Sequence, residues 1–192
     1  MEEKNLTQQE SLEIISKMIK ETRTNIEKGG GNIFLLWGYL WLVIALAVYL
    51  LIVQTGDYRA HWLWFAMPII GYPAMYFMIK KKRSNTVTFV SKTISKIWVV
   101  IGTCALFLSL FMLIKPSALP ILFVMALIMN AGVALSGLVL EYKPISVAGF
   151  LGILLSFSLL IISGVEQILV FGGFAIIMLI MPGHFLNSAK NV

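Results

Sequence analysis

Six long runs of apolar residues dominate this sequence, and they leave little choice of fold. A helix rises about 1.5 Å per residue, so roughly 20 apolar residues cross a hydrocarbon core about 30 Å thick. Backbone polar groups must be satisfied inside lipid, and the alternating pattern of a membrane barrel does not occur. We therefore expect an all-α, polytopic bundle of six transmembrane helices. The predicted spans are residues 33–53, 62–79, 97–114, 118–140, 144–163 and 167–185.

The composition agrees with a protein whose solvent is the bilayer. Of the 192 residues, 59% are hydrophobic and 12% are charged, whereas soluble domains carry about a quarter charged residues. The single cysteine, Cys104, excludes an intramolecular disulfide. Residues 1–30 lack the apolar core of a removable signal peptide, so we expect the first span to direct its own insertion.

The basic residues fall on one side of the predicted spans and indicate the orientation. The positive-inside rule places the N-terminus, the 80–96 loop, the 141–143 turn and the C-terminus in the cytoplasm. Only Arg59 and Lys115 fall on the other side. The remaining 13 of the 15 basic residues are Lys4, Lys17, Lys20, Arg23, Lys28, Lys80, Lys81, Lys82, Arg83, Lys92, Lys96, Lys143 and Lys190. Five tryptophans near span ends are expected to be interfacial anchors: Trp37, Trp41, Trp62, Trp64 and Trp98.

The N-terminal segment is predicted to be an amphipathic helix. Thr7 and Glu10 form a capping box. An apolar stripe with helical spacing follows, formed by Leu12, Ile15, Ile19 and Ile26. Gly29, Gly30 and Gly31 are expected to end the helix and form a hinge. Residues 1–31 are thus predicted to be a cytoplasmic helix with its hinge, and residues 32–192 the transmembrane domain.

Three arrangements fit such a helix: packing on the protein's own loops, pairing with another chain, or lying flat on the membrane. Membrane-surface helices are typically basic, with Trp or Phe on the apolar face. This segment carries four acidic and four basic residues between Gln8 and Lys28, and its stripe has no aromatic side chain. The pattern favours a protein contact, either with a second copy of the chain or with a cytosolic protein.

The loop after the second span holds six basic residues and no acidic one. Each such residue next to a span is attracted to anionic lipid head groups by about 1 kcal/mol. Topology anchoring explains the loop, and the candidate contacts with anionic lipids are Lys80, Lys81, Lys82 and Arg83. We expect membrane lipids as partners and no nucleic acid, because no base-stacking or groove-reading element accompanies the charge.

Few polar side chains lie deep in the predicted spans. Asn130 is near the middle of the fourth span, and Thr103 and Tyr72 lie at similar depths on the third and second. Asn130 is expected to form a hydrogen bond across a helix interface. These three side chains could instead contact a ligand. No ionisable residue lies near the middle of a span, which argues against a proton-coupled pump.

Enzymatic and metal-binding patterns are missing from the sequence. His61 and His184 lie near span ends on opposite sides of the membrane, and no nucleophile elbow, zincin motif or P-loop occurs. We therefore expect no enzyme, no metal and no cofactor.

Small residues and prolines predict where helices meet and bend. Gly132 and Ser136, and likewise Ala148 and Gly152, have the four-residue spacing of close helix contacts. Tight packing of the fourth to sixth helices is expected. Pro68 and Pro73 are expected to kink the second helix.

The two ends of the chain carry a resemblance. Residues 10–19 leading into Phe34-Leu35-Leu36-Trp37-Gly38-Tyr39, and the closing Met181-Pro182-Gly183-His184-Phe185-Leu186-Asn187, resemble small bacterial six-span membrane proteins of unknown function with an N-terminal amphipathic helix. The resemblance implies the bacterial inner membrane and transfers no activity to any residue.

Two functions remain open from the sequence. The first is a non-enzymatic membrane protein that docks a partner or a second copy through Leu12, Ile15, Ile19 and Ile26. The second is a small transporter or channel for an uncharged or lipophilic molecule that uses the region of Tyr72, Thr103 and Asn130.

Overall fold

The computed structural model describes residues 30–81, 89–115 and 119–188. These residues form helices and short connections, and no strand occurs among them. Six helical stretches are long and apolar enough to cross a membrane, so the predicted all-α six-span bundle is confirmed. Spans 1 to 6 are Gly31–Thr55, Tyr58–Lys80, Ser91–Ile114, Ile121–Val139, Lys143–Ile161 and Glu166–Ser188.

Three of the spans are single helices and three are built from segments. The helices are α1 (Gly30–Thr55), a 3-10 helix (Tyr58–Phe65), α2 (Ala66–Lys81), α3 (Phe89–Ile114), α4 (Ile121–Val139), α5 (Lys143–Ser156), α6 (Ser158–Ile161), α7 (Glu166–Ala175), a π-helix (Ile176–Ile180) and α8 (Met181–Ser188). We call the end of the bundle at which Gly30, Lys81 and Ser188 lie the basic end.

The core lies among spans 1, 4, 5 and 6. The largest fully buried apolar side chains are Val48, Ile145, Leu159, Met178 and Leu186, and Ala126 of span 4 is fully buried as well. Span 1 packs along the whole of span 6, and span 4 packs most closely on span 5. These four spans therefore hold the bundle together.

Spans 2 and 3 lie at the edge of this core. No residue of Ser91–Ile114 is buried, and Gly71 is the one buried residue of Tyr58–Lys80. Span 2 contacts span 1 where the ring of Trp37 lies against Gly71. Span 3 contacts span 4 where Ile101 lies against Gly132. Most of their apolar surface is consequently left to lipid.

One of the five tryptophans is a core residue. Trp41 is 3% exposed and packs on Phe171 of span 6, with 4.8 Å between the ring centroids. The expectation that it anchors at the interface is therefore wrong, because span 1 turns this face toward span 6.

Span 2 changes its helical type close to its first proline. The 3-10 helix ends at Phe65, and Pro68 is the third residue of α2. A helix needs no intrahelical partner for its first N–H groups, so Pro68 is tolerated there. Pro73 lies inside α2 and removes one of its hydrogen bonds.

Small residues allow spans 4 and 5 to approach closely. A Cβ on Gly149 would lie 2.3 Å from the backbone nitrogen of Ala134, and one on Gly137 would lie 2.3 Å from the nitrogen of Ser146. Gly152 lies against Asn130 in this pair, and Ala148, four residues earlier, is also buried. Gly132 instead faces span 3, where Ile101 lies 3.2 Å from its ideal Cβ position.

Span 6 contains one π-helical segment, which the sequence analysis did not predict. The N–H of Met181 donates to the carbonyl of Ile176, five residues earlier. Pro182 follows directly and has no N–H to donate, while its ring clashes with the carbonyl four residues before it. The wider π turn accommodates this proline without ending the span.

Two of the three glycines predicted to form the hinge belong to a helix. Gly30 and Gly31 are the first two residues of α1 rather than part of a flexible joint. A Cβ on Gly31 would lie 2.4 Å from Oδ1 of Asn187, so this glycine is needed for helix packing. Residues 1–29 lie outside the described residues.

Candidate functional site

Two hydrogen bonds join spans 1 and 6 at the basic end. Asn187 Nδ2 donates to Asn32 Oδ1 at 2.7 Å. Further along the two spans from the basic end, the Tyr39 hydroxyl and His184 Nε2 are hydrogen-bonded at 2.9 Å. We call these four side chains the span 1–6 clamp. In membrane proteins such contacts contribute roughly 0.6 to 2 kcal/mol each.

The backbones of the two spans come close together at the clamp because two glycines face each other. An ideal Cβ atom on Gly31 would lie 2.6 Å from the carbonyl oxygen of Gly183. One on Gly183 would lie 3.1 Å from the carbonyl oxygen of Gly31. The π turn and Pro182 precede Gly183 and set the rotation of α8. As a result, His184 and Asn187 both reach span 1.

A shallow groove of about 520 Å³ runs along span 1 next to the clamp. Met78 of span 2 closes one side of it. Its remaining lining comes from one face of α1: Asn32, Leu35, Leu36, Tyr39, Leu40 and Val43. The surface is almost entirely apolar, and Asn32 supplies a polar group at the basic end. Tyr39 belongs both to the groove and to the clamp.

Asn130, the deepest polar residue predicted, is fully buried between spans 4 and 5. Its Nδ2 donates to Ser156 Oγ at 3.2 Å, and Ser156 Oγ donates to the carbonyl of Gly152 at 2.7 Å. Within the described part of the chain, Asn130 Oδ1 is buried without a hydrogen-bond partner. Asn130 therefore joins two helices and keeps one unsatisfied acceptor.

Tyr72 and Thr103 have other neighbours. The ring of Tyr72 packs edge-on against Trp37 of span 1, with centroids 5.4 Å apart, and its hydroxyl lies 3.3 Å from the ideal Cβ position of Gly102. Thr103 donates to the carbonyl of Val99 in its own helix at 2.7 Å. Tyr72 and Thr103 therefore contact residues of spans 1 and 3, whereas Asn130 contacts span 5, and the three predicted side chains share no contact in these bonds.

The predicted lipid contacts are described only in part. Lys80 is exposed, and its Nζ lies 6.0 Å from the ring centroid of Tyr76 one turn earlier. Lys81 is the last residue of α2. Lys82 and Arg83 lie outside the described residues, as does the N-terminal stripe of Leu12, Ile15, Ile19 and Ile26.

At the opposite end of the bundle, an ion pair lies in the turn between spans 1 and 2. Asp57 Oδ1 accepts from the backbone N–H of Arg59 at 2.9 Å, and its carboxylate also lies 2.9 Å from Arg59 Nε. The backbone hydrogen bond, followed by the guanidinium, lowers the pKa of Asp57 below its ordinary value of 3.8. This pair caps the 3-10 helix.

The described residues contain no group of three or more His, Cys, Asp or Glu side chains that could hold a metal ion. The clamp is a polar feature and the groove a concave one that the structure adds. Sequence reasoning did not predict them, although Pro182-Gly183 inside an apolar run signalled an irregular helix. No protein-family model, curated protein or solved structure matches the chain.

Proposed function

We propose that this chain is a non-enzymatic membrane protein that docks a second copy or a cytosolic protein through its N-terminal amphipathic helix. In this proposal it lies in the bacterial inner membrane with both termini in the cytoplasm. It uses membrane lipids as partners and needs no cofactor. The carrying observation is the span 1–6 clamp, which fixes the residues that directly follow the predicted helix.

The clamp supports docking because it holds the first residues of span 1 in a fixed position against span 6. Gly31 packs against Asn187 and the carbonyl of Gly183, and Asn32 is hydrogen-bonded to Asn187. A partner bound by residues 1–28 would therefore be held at a defined place beside the bundle. The apolar stripe, which carries no aromatic side chain, suits a protein surface better than a lipid surface.

Native mass spectrometry of the full chain in a mild detergent tests this proposal. We expect a dimer, or a complex with one soluble protein in a fixed ratio, that is lost when residues 1–28 are removed. Ile15→Asp with Ile19→Asp should also abolish it, because the two charges interrupt the apolar stripe. Thr24→Asp, which the helical period places on the opposite face, is the control and should leave the complex intact. A monomer unaffected by all of these changes contradicts docking.

A transporter for an uncharged or lipophilic molecule is the second candidate function. It is favoured by the buried Oδ1 of Asn130, which has no hydrogen-bond partner among the residues that the structure describes. On this alternative, Asn130→Ala or Tyr72→Phe reduces uptake while removal of residues 1–28 does not. On the docking proposal, removal of residues 1–28 abolishes assembly, whereas Asn130→Ala and Tyr72→Phe leave it intact.

A further inference from the structure

The 3-10 helix at the start of span 2 stacks three side chains at the end of the bundle opposite the basic end. Such a helix has three residues per turn, so side chains three positions apart lie above one another along its axis. Arg59, Trp62 and Phe65 have this spacing within the helix Tyr58–Phe65. The ring centroids of Trp62 and Phe65 are 5.7 Å apart, as expected for residues that share a face. We call these three residues the Arg59 ridge.

The Arg59 ridge faces away from the core. Trp64 lies on a different face of the same helix and packs edge-on against Phe171 of span 6, with 5.4 Å between the centroids. The Arg59 side chain is 86% exposed, and Trp62 is 58% exposed. At a rise of about 2.0 Å per residue, Trp62 and Phe65 lie about 6 and 12 Å further into the span than Arg59. The guanidinium is therefore at the level of the lipid head groups, and the two rings follow toward the hydrocarbon.

The ion pair on this ridge leaves both of its charged groups able to bind a further partner. Arg59 reaches the Asp57 carboxylate through Nε. The two Nη groups of Arg59 carry four more N–H donors, which have no partner among the residues that the structure describes. The Asp57 side chain is 43% exposed, and the bonds to its carboxylate in the described part of the chain all come from Arg59. A positive and a negative group thus lie side by side at the membrane surface.

This arrangement of charges complements a zwitterionic head group. The head group of phosphatidylethanolamine carries a phosphate and a primary ammonium that are joined by two carbons. The planar Nη fork of an arginine binds phosphate oxygens, and the ammonium can donate to a carboxylate. A head group with a phosphate and no ammonium would be attracted to Arg59 but repelled by the adjacent Asp57.

We propose that Asp57 and Arg59 bind the head group of one zwitterionic phospholipid with a primary ammonium. Its phosphate contacts the Nη groups of Arg59, and its ammonium contacts the Asp57 carboxylate. The first carbons of an acyl chain lie against Trp62 and Phe65. This site is at the opposite end from residues 1–28, so it is independent of the docking proposal.

The test is native mass spectrometry of the full chain with equal amounts of phosphatidylethanolamine and phosphatidylglycerol that carry the same acyl chains. The measured quantity is the ratio in which the two lipids are retained, and each variant is compared with wild type. Asp57→Asn keeps an oxygen that can cap the 3-10 helix but removes the negative charge. We expect the ratio of phosphatidylethanolamine to phosphatidylglycerol to fall about fivefold, the effect of losing one charge contact at the surface. Glu166→Gln is the matched control, because Glu166 is an exposed acidic residue at the same end but outside the ridge.

A second pair of variants tests the phosphate contact. Arg59→Gln should reduce retention of phosphatidylethanolamine about fivefold, the effect of removing one basic residue at the membrane surface. Lys115→Gln removes an exposed basic residue at the same end and should leave retention unchanged. An unchanged lipid ratio in Asp57→Asn, or an equal change in Glu166→Gln, would overturn the proposal. Equal losses of phosphatidylethanolamine in the Arg59 and Lys115 variants would overturn it as well.

Discussion

The hairpin of spans 4 and 5 and the pair of spans 2 and 3 are all apolar enough to cross a membrane, but they are packed in opposite ways. Span 3 is the most hydropathic of the six spans, yet none of its residues is buried. Spans 4 and 5 are less hydropathic and contain thirteen buried residues, including Asn130, Ser136 and Ser156. Apolar character alone therefore does not decide which helices associate.

The difference follows from the solvent. Lipid tails are as apolar as leucine, so burying a leucine between two membrane helices gains little. Close backbone approach and interhelical hydrogen bonds do favour association. Spans 4 and 5 have both, through Gly137, Gly149 and the Asn130–Ser156 bond. Span 3 offers Gly102, whose ideal Cβ position is 3.3 Å from the Tyr72 hydroxyl, and the hydroxyl of Thr103 bonds within its own helix rather than across an interface.

The largest effect is expected from a methyl group placed between spans 4 and 5. In Gly149→Ala the new Cβ meets backbone atoms of Ala134, which cannot move independently of the helix. We expect a loss of about 1–3 kcal/mol in the free energy of unfolding, measured by denaturant titration in detergent. Gly173→Ala is the control, because among the described residues nothing outside its own stretch of helix lies within 4 Å of its Cβ position. Similar losses in both variants would show that close approach does not stabilise this pair.

A smaller effect is expected from the buried amide. Asn130→Ala removes the hydrogen bond to Ser156 and also removes the unsatisfied Oδ1, and these two changes oppose each other. We expect a net loss of about 1 kcal/mol in unfolding free energy. Thr103→Ala on span 3 should change it by less than about 0.5 kcal/mol, since its hydroxyl bonds to its own helix and faces outward. Equal losses of unfolding free energy in the two variants would contradict the view that polar side chains stabilise the core spans more than the edge spans.

The clamp should have a still smaller but measurable coupling. In a double-mutant cycle with Tyr39→Phe and His184→Ala, the interaction energy between the two side chains is expected to be about 0.6 kcal/mol. Thermal unfolding of the four proteins in detergent measures it. Tyr76→Phe with His184→Ala is the matched cycle, because Tyr76 is 60% exposed on span 2. A coupling in the control cycle as large as in the clamp cycle would contradict the assigned bond.

The sequence predicted the number of spans and their approximate limits, because length and apolar content are local properties. It also predicted that Asn130 lies deep and would bond across an interface. It did not predict which faces meet. Trp41 has the sequence context of an interfacial anchor, but its burial depends on Phe171, 130 positions later. Likewise, the pairing of Tyr39 with His184 depends on the π turn before Pro182.

The spacing of small residues likewise does not show which helix each of them contacts. Gly132 and Gly152 each belong to a pair of small residues four positions apart, but Gly152 lies against Asn130 and Gly132 lies against Ile101 of span 3. A spacing of four identifies a face of a helix and does not identify its partner. The sequence did not predict the groove for the same reason, because the groove forms only where Met78 of span 2 lies beside one face of span 1.

The smallest effect is expected at the turn that leads into the edge spans. The pKa of Asp57 is lowered by the backbone N–H of Arg59 and by its guanidinium, so the stabilisation is present above pH 3.8 and is lost as pH falls through the lowered pKa. Asp57→Asn should therefore unfold at a slightly lower temperature than wild type at pH 6, and the difference should shrink at pH 3. Because the pair is exposed, added salt should also reduce the difference. A difference that grows on acidification would mean that Asp57 acts through something other than its charge, and the entry into span 2 would then depend on the shape of the turn alone.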